Sequence, residues 1–275
     1  MVTRGARARY AVATVVTLAL TVTACSVVPL TGRRQLSIIP ASTMMSMSAT
    51  EYGQFLDKNP KSKNAAATAQ VVKVGTAIQR AVERYFAQQN LSSRLQGYKW
   101  EFNLVESTQA NAWCMPGGKV VVYSGILPIT RDEAGLAVVL GHEIAHAVAE
   151  HGSERMSQGL LVELGGAALS EALKEKPEET RALWMGAFGA GAQYGALLPF
   201  SRLQESEADH LGLIFLAMAG YDPRGAEAFW QRMAAAGGGN ATPEFTSTHP
   251  SDETRIRKIR EEMPEALRYY RPATK

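Results

Sequence analysis

The sequence predicts an α+β fold that is mainly helical and carries a small antiparallel sheet. Apolar residues recur at spacings of three and four along several stretches, the mark of helices with one buried face. Two short runs near the middle of the chain have the alternation or β-branched content of strands. The 275 residues, 46% of them hydrophobic, supply one full core and little length for a second domain.

The first 24 residues stand apart. A basic start with Arg4, Arg7 and Arg9 leads into an apolar run from Tyr10 to Ala24. That run is shorter than the roughly 20 residues that span a bilayer core and has the length of an export signal. Val22-Thr23-Ala24-Cys25 resembles a lipobox, so residues 1–24 are expected to be a lipoprotein signal peptide and Cys25 the lipidation site. The acyl chains then act as the membrane anchor. Ser26 stands where an aspartate would resemble an inner-membrane retention signal, which points to the periplasmic side of the outer membrane. The net charge of +3, from 29 basic and 26 acidic residues, is carried by the three early arginines. From Cys25 onward the charges balance, and bulk charge gives no case for a nucleic-acid partner. Cys114 is then the one cysteine left, read as a small buried hydrophobe with no disulfide partner.

Residues 25–50 are rich in Ser, Thr, Pro and Met and read as a lipidated tether that becomes ordered as it reaches a body spanning 51–275. From Ala65 to about Gln89, Val71, Val74, Ile78, Val82 and Phe86 form the apolar stripe of an amphipathic helix. Tyr98 to Val105 and Lys119 to Tyr123 read as strands, the second following a Pro116-Gly117-Gly118 turn, and are expected to pair antiparallel. Thr130 and Glu133 have the spacing of a capping box, opening a helix through about Met156. Residues 159–199 mix a helical run, a charged loop and a Gly/Ala-rich stretch, either packed helix or mobile lid. A helix from Ser201, with Gln204 as its capping partner, runs to about Ala219. Asp222-Pro223 begins another that ends at Gly237-Gly238-Gly239. The last helix, from Ser251, turns Ile256 and Ile259 inward.

The helix through residue 142 carries the chemistry. His142 and His146 are four apart and project from one face about a turn from each other, the separation at which two imidazoles share a zinc ion. Glu143, next to the first, has the position of the general base that activates a water. The flanking residues, Ala137 to Leu140, Ile144, Ala145 and Val148, bury this helix, and buried polar side chains need partners. A third ligand falls in Glu205-Ser206-Glu207-Ala208-Asp209, where Glu205 and Asp209 share a face and Glu207 points about 160° away. The pair fits one site, with Glu205 on the metal and Asp209 orienting a ligand histidine. Spacing alone leaves Glu207 open as the alternative.

His142-Glu143-x-x-His146 followed by Glu205-x-x-Ala208-Asp209 resembles the zinc metallopeptidase family that includes the CAAX prenyl protease, the heat-shock protease HtpX and the Oma-type peptidases. Within it the chain is similar to the bacterial periplasmic lipoprotein branch. The likeness extends to Asn111 through Gly118, to Lys119-Val120-Val121-Val122-Tyr123, and to His249-Pro250 leading into Arg255. It implies a zincin-like metallopeptidase domain with one Zn2+ per chain, held by His142, His146 and Glu205. It also implies that His249 acts on the transition state or covers the metal, and that Arg255 partners the active-site carboxylates. His151, a familiar family residue, lies off the metal-facing line by its spacing and is assigned to packing or the surface.

Lys119, Val120, Val121 and Val122, with Asn111, Gly117 and Gly118 before them, could offer a strand edge to an extended substrate, or form a plain core strand. The expected activity is metal-assisted hydrolysis of peptide bonds, with Glu143 as base and then proton donor, in misfolded or stalled envelope polypeptides. Outer-membrane assembly machinery is a possible partner. The alternative is a chaperone-like lipoprotein that binds the same clients with little turnover.

Overall fold

A computed structural model describes residues 25–28, 31–193, 197–237, 245, 249 and 253–272. The expected signal peptide lies outside them. Cys25–Val27 (β1) and Arg34–Leu36 (β2) pair antiparallel, Cys25 opposite Leu36, and Ala41–Lys58 forms helix α1. The tether expectation for 25–50 is therefore corrected over the described residues. Val28 is buried in the core, and α1 buries Met44, Ser48 and Tyr52 at every fourth position. A serine in that stripe, and Met and Ser as its main constituents, hid the period from a reading of hydrophobic spacing.

Ala65–Gln88 (α2) is capped by the Asn64 side chain, which accepts from the Ala67 amide at 3.0 Å. Its predicted stripe is fully buried. The sheet consists of Glu101–Val105 (β3), Ala112–Met115 (β4) and Lys119–Tyr123 (β5), in the order β3-β5-β4. Its antiparallel pair is the β4–β5 hairpin, whose turn uses Gly117 and Gly118 at φ of 86° and 82°. A Cβ on Gly118 would also stand 2.7 Å from the Trp100 ring. The expected pairing of the 98–105 and 119–123 strands is present but parallel, Glu101 opposite Lys119. Inserting β4 between them in sequence reverses the chain twice, and two reversals restore the direction.

Leu127–Thr130 (α3) precedes Glu133–Val148 (α4). The cap of α4 is Asp132, accepting from the Gly135 amide at 2.8 Å, while the Thr130 hydroxyl donates to Leu127 O at 3.0 Å. The capping-box expectation is thus replaced by an aspartate cap. The helix expected to reach Met156 breaks at Glu150, a non-glycine residue at φ 61°, and His151–Ala172 (α5) starts afresh. Glu178–Ala192 (α6) folds back on α5, with Phe188 over Gly165. Leu198–Met218 (α7) starts before the expected Ser201, and Gln204 is not a cap but fully buried. Gly225–Gly237 (α8) and Glu253–Tyr269 (α9) are the last helices among the described residues, with Ile259 inward as expected. Among the described residues no helix is long and apolar enough to cross a membrane.

Candidate metal centre

Every residue of α4 from Gly135 to Val148 is buried, so its two histidines and glutamate lie inside the core. Opposite runs α7. Gly141 and Gly212 let the two backbones touch, since a Cβ on either would stand 2.9 Å from the other helix's backbone. At that separation the Glu205 side chain reaches both histidines: its Oε1 lies 3.2 Å from His146 Nε2 and its Oε2 3.4 Å from His142 Nε2. His142 Nε2 and His146 Nε2 are 3.1 Å apart. His249 Nδ1 closes the group, 2.8 Å from Glu205 Oε2 and 3.1 Å from His142 Nε2.

The partners on the far side of each ring set its tautomer. His142 Nδ1 is 2.9 Å from Asp209 Oδ1, and Asp209 is held ionised by Arg255 Nη2 at 2.6 Å. Burial alone would raise the Asp209 carboxyl, yet Arg255 keeps it below the usual range. The proton of His142 therefore sits on Nδ1, and Nε2 presents a lone pair. His151 Nε2 donates to Glu207 Oε2 at 2.9 Å, which leaves His151 Nδ1 to accept from His146 Nδ1 at 2.8 Å. His146 Nε2 is then also a lone pair. Burial holds both His146 and His151 below the ordinary histidine pKa, which favours these neutral forms.

Two imidazole lone pairs and a carboxylate thus face one point, with the His249 ring beside them. Converging acceptors repel unless a cation lies between them. Donors bound to zinc at about 2.0–2.1 Å in a tetrahedron stand roughly 3.3 Å apart, and the contacts here run from 2.8 to 3.4 Å. Two nitrogens and a carboxylate oxygen suit zinc in chemistry as well. Glu143 Oε1 is buried without a hydrogen-bond partner among the described residues, 3.5 Å from His249 Nε2. Burial pushes this carboxyl up to about 7.

The structure brings His142, Glu143, His146, Glu205, Asp209, His249 and Arg255 together. Arg255 also stacks on the Trp230 ring, 3.4 Å from its centroid. The substrate strand is corrected. Lys119, Val120, Val121 and Val122 form the central strand, paired on both sides and buried, so they offer no free edge. Lys119 Nζ donates instead to Lys99 O at 2.8 Å and pairs with Glu101. The edge next to α4 belongs to β4, between Asn111 and Gly117, and Cys114 on β4 lies close enough to Glu143 for the carboxylate to raise its thiol pKa beyond what burial does.

Two residues take roles other than those expected, and one was missed. His151, read as packing or surface, touches a ligand; Glu207, the alternative ligand, belongs to the layer behind it; Arg33, in the supposed tether, binds Glu207 at 2.8 Å. The five-residue offset of His151 was visible, but the left-handed turn at Glu150 that swings it towards His146 had no sequence signal.

This arrangement, an HExxH helix crossed by a second helix that supplies a glutamate, is that of a zinc metallopeptidase fold. The model of peptidase family M48 matches residues 73–263, and the chain belongs to that family. It is similar to the mitochondrial metalloendopeptidase OMA1 of Schizosaccharomyces pombe, 40% identical over 191 residues that cover 69% of this chain and 53% of the relative. Human OMA1 is 30% identical over 245 residues, covering 87% and 46%. A β-barrel assembly-enhancing protease of Yersinia pestis is 33% identical over 165 residues, covering 58% and 34%. The chain spans about half the length of the OMA1 relatives it matches.

Proposed function

We propose that this protein is a zinc-dependent endopeptidase that cleaves misfolded or stalled envelope polypeptides from a lipid anchor at Cys25. One observation carries the activity: the His142 and His146 lone pairs and the Glu205 carboxylate converge on one point, with the buried Glu143 carboxylate beside His249. When bound, zinc supplies Lewis-acid polarisation of a carbonyl and acidifies water. Glu143, beside that point, takes a proton from the attacking water and returns it to the leaving amine. The outer edge of β4, which pairs with no other strand among the described residues, aligns an extended chain past Glu143 by main-chain hydrogen bonds. His249 covers the remaining side of the donor group, so a carbonyl oxygen enters as that ring withdraws. The export-signal pattern and the bacterial relative's name support the envelope setting, with outer-membrane assembly machinery as the expected partner.

The purified protein should bind one zinc and cleave casein, and Glu143→Gln should keep the zinc while losing at least about 100-fold in turnover. Equal cleavage by the zinc-loaded variant would overturn the mechanism. For the anchor, intact-protein mass should show acylated Cys25 as the first residue, and Cys25→Ser should release the protein from membranes.

A further inference from the structure

Behind the ligand His146 lies a chain of buried polar groups that ends in the N-terminal ribbon. His146 Nδ1 donates to His151 Nδ1, and His151 Nε2 donates to Glu207 Oε2. Glu207 Oε2 accepts from Arg33 Nε at 2.8 Å, and its other oxygen accepts from the Thr31 hydroxyl. The two terminal nitrogens of Arg33 meanwhile fork onto Glu154, at 2.9 and 2.8 Å. Glu154 and Glu207 have side chains 1% and 5% exposed. Arg33 lies between these two buried carboxylates and is the cation that touches both. Gln204 adds a single neutral donor to Glu154, at 2.7 Å.

The ribbon itself is pinned. Val28 N donates to Arg33 O at 2.8 Å, the Ile38 amide donates to Ser157 Oγ at 3.0 Å, and Arg94 donates to Val27 O at 3.1 Å. Arg33 therefore arrives from a docked element, 174 residues from Glu207 in sequence.

We propose that Arg33 is a positioning residue for the metal centre: by holding Glu207 and Glu154 it lets Glu207 fix the His151 ring, and His151 in turn fixes the tautomer and direction of His146. The ribbon that directly follows Cys25 is thereby part of the metal site, and metal retention depends on its docking. The inference rests on the zinc reading of the site.

The test is chelator competition for zinc on the full chain. Arg33→Ala should release zinc at least about 10-fold more readily than the wild-type protein, the size of effect seen for groups that orient ligand histidines. Arg33→Lys, which keeps the charge without the fork, should fall between the two. Glu207→Gln should weaken zinc binding similarly, and adding it to Arg33→Ala should cost less than the sum of the singles. Thermal melting of the zinc-free forms separates the alternatives: a lowered melting temperature with unchanged zinc affinity in Arg33→Ala would make Arg33 a structural staple and overturn the proposal. If Arg33→Ala does not fold, unchanged zinc affinity in Glu207→Gln overturns it equally, and weakened affinity there upholds it. A wild-type protein that binds no zinc would instead sink the reading of the metal centre.

Discussion

The carbonyl oxygen of Gly212 lies 2.9 Å from the place where a Cβ on Gly141 would stand, so α4 and α7 cross with backbone against backbone. This contact sets how far Glu205 reaches towards His142 and His146. Gly212→Ala should force the helices apart, because the atoms its methyl meets are backbone and cannot swing away. We expect about 1–3 kcal/mol lower stability in urea unfolding, together with weaker zinc binding. Normal zinc affinity in a destabilised variant would show that the crossing does not set the ligand distance.

Arg255 spans Asp209 and the Trp230 ring, and both it and Asp209 are buried. Arg255→Ala leaves the Asp209 carboxylate with the His142 ring but without its buried countercharge, and removing one partner of a buried ion pair costs about 3 kcal/mol. Chemical denaturation should show this loss, and Asp209→Asn in the same background should recover part of it. Full additivity of the two changes would mean that the pair is not coupled.

His249 places Nδ1 within 3.1 Å of His142 Nε2 and so stands as a fourth donor of the group. X-ray absorption at the zinc edge should count three imidazoles in the resting protein and two in His249→Ala. Cleavage of a short peptide should rise severalfold in that variant, since the site no longer opens by moving the ring. A fall of 100-fold or more would assign His249 to the transition state instead.

Burial pushes Glu262 up to about 7, with Asp209, Glu265 and Glu261 adding to the shift and Lys258 opposing it. A carboxyl raised in the folded state binds its proton more tightly there than in the unfolded chain, so it removes stability as pH rises from about 4.5 to 7. Glu262→Gln should therefore stabilise the protein at pH 8 by about 1 kcal/mol, after allowing for its solvent-facing part, and by less at pH 5. Melting curves at the two pH values check the sign; a stabilisation that grows on acidification would refute it.

The ligands were legible because α-helical period is local. His142 with His146, and Glu205 with Asp209, each lie four apart inside strongly helical stretches, and that spacing fixes which side chains share a face. His249 and Arg255 have no such period and were reached by family likeness. The role of His151 was missed because one left-handed residue, Glu150, reorients it. The edge strand was misplaced because β4 is short and its Trp113-Cys114-Met115 carries no alternation.

By itself the sequence determined the amphipathic helix from Ala65, the buried helix of the metal motif, the crossing helix with Glu205 and the balanced charge from Cys25 onward, since propensity, spacing and composition are properties of neighbouring residues. Tertiary structure decided what neighbours in sequence cannot: the parallel pairing of β3 with β5, the place of β4 at the end of the sheet, and the meeting of Arg33 with Glu207. Those depend on how separate elements pack, and packing brings together groups whose separation along the chain carries no periodic signal.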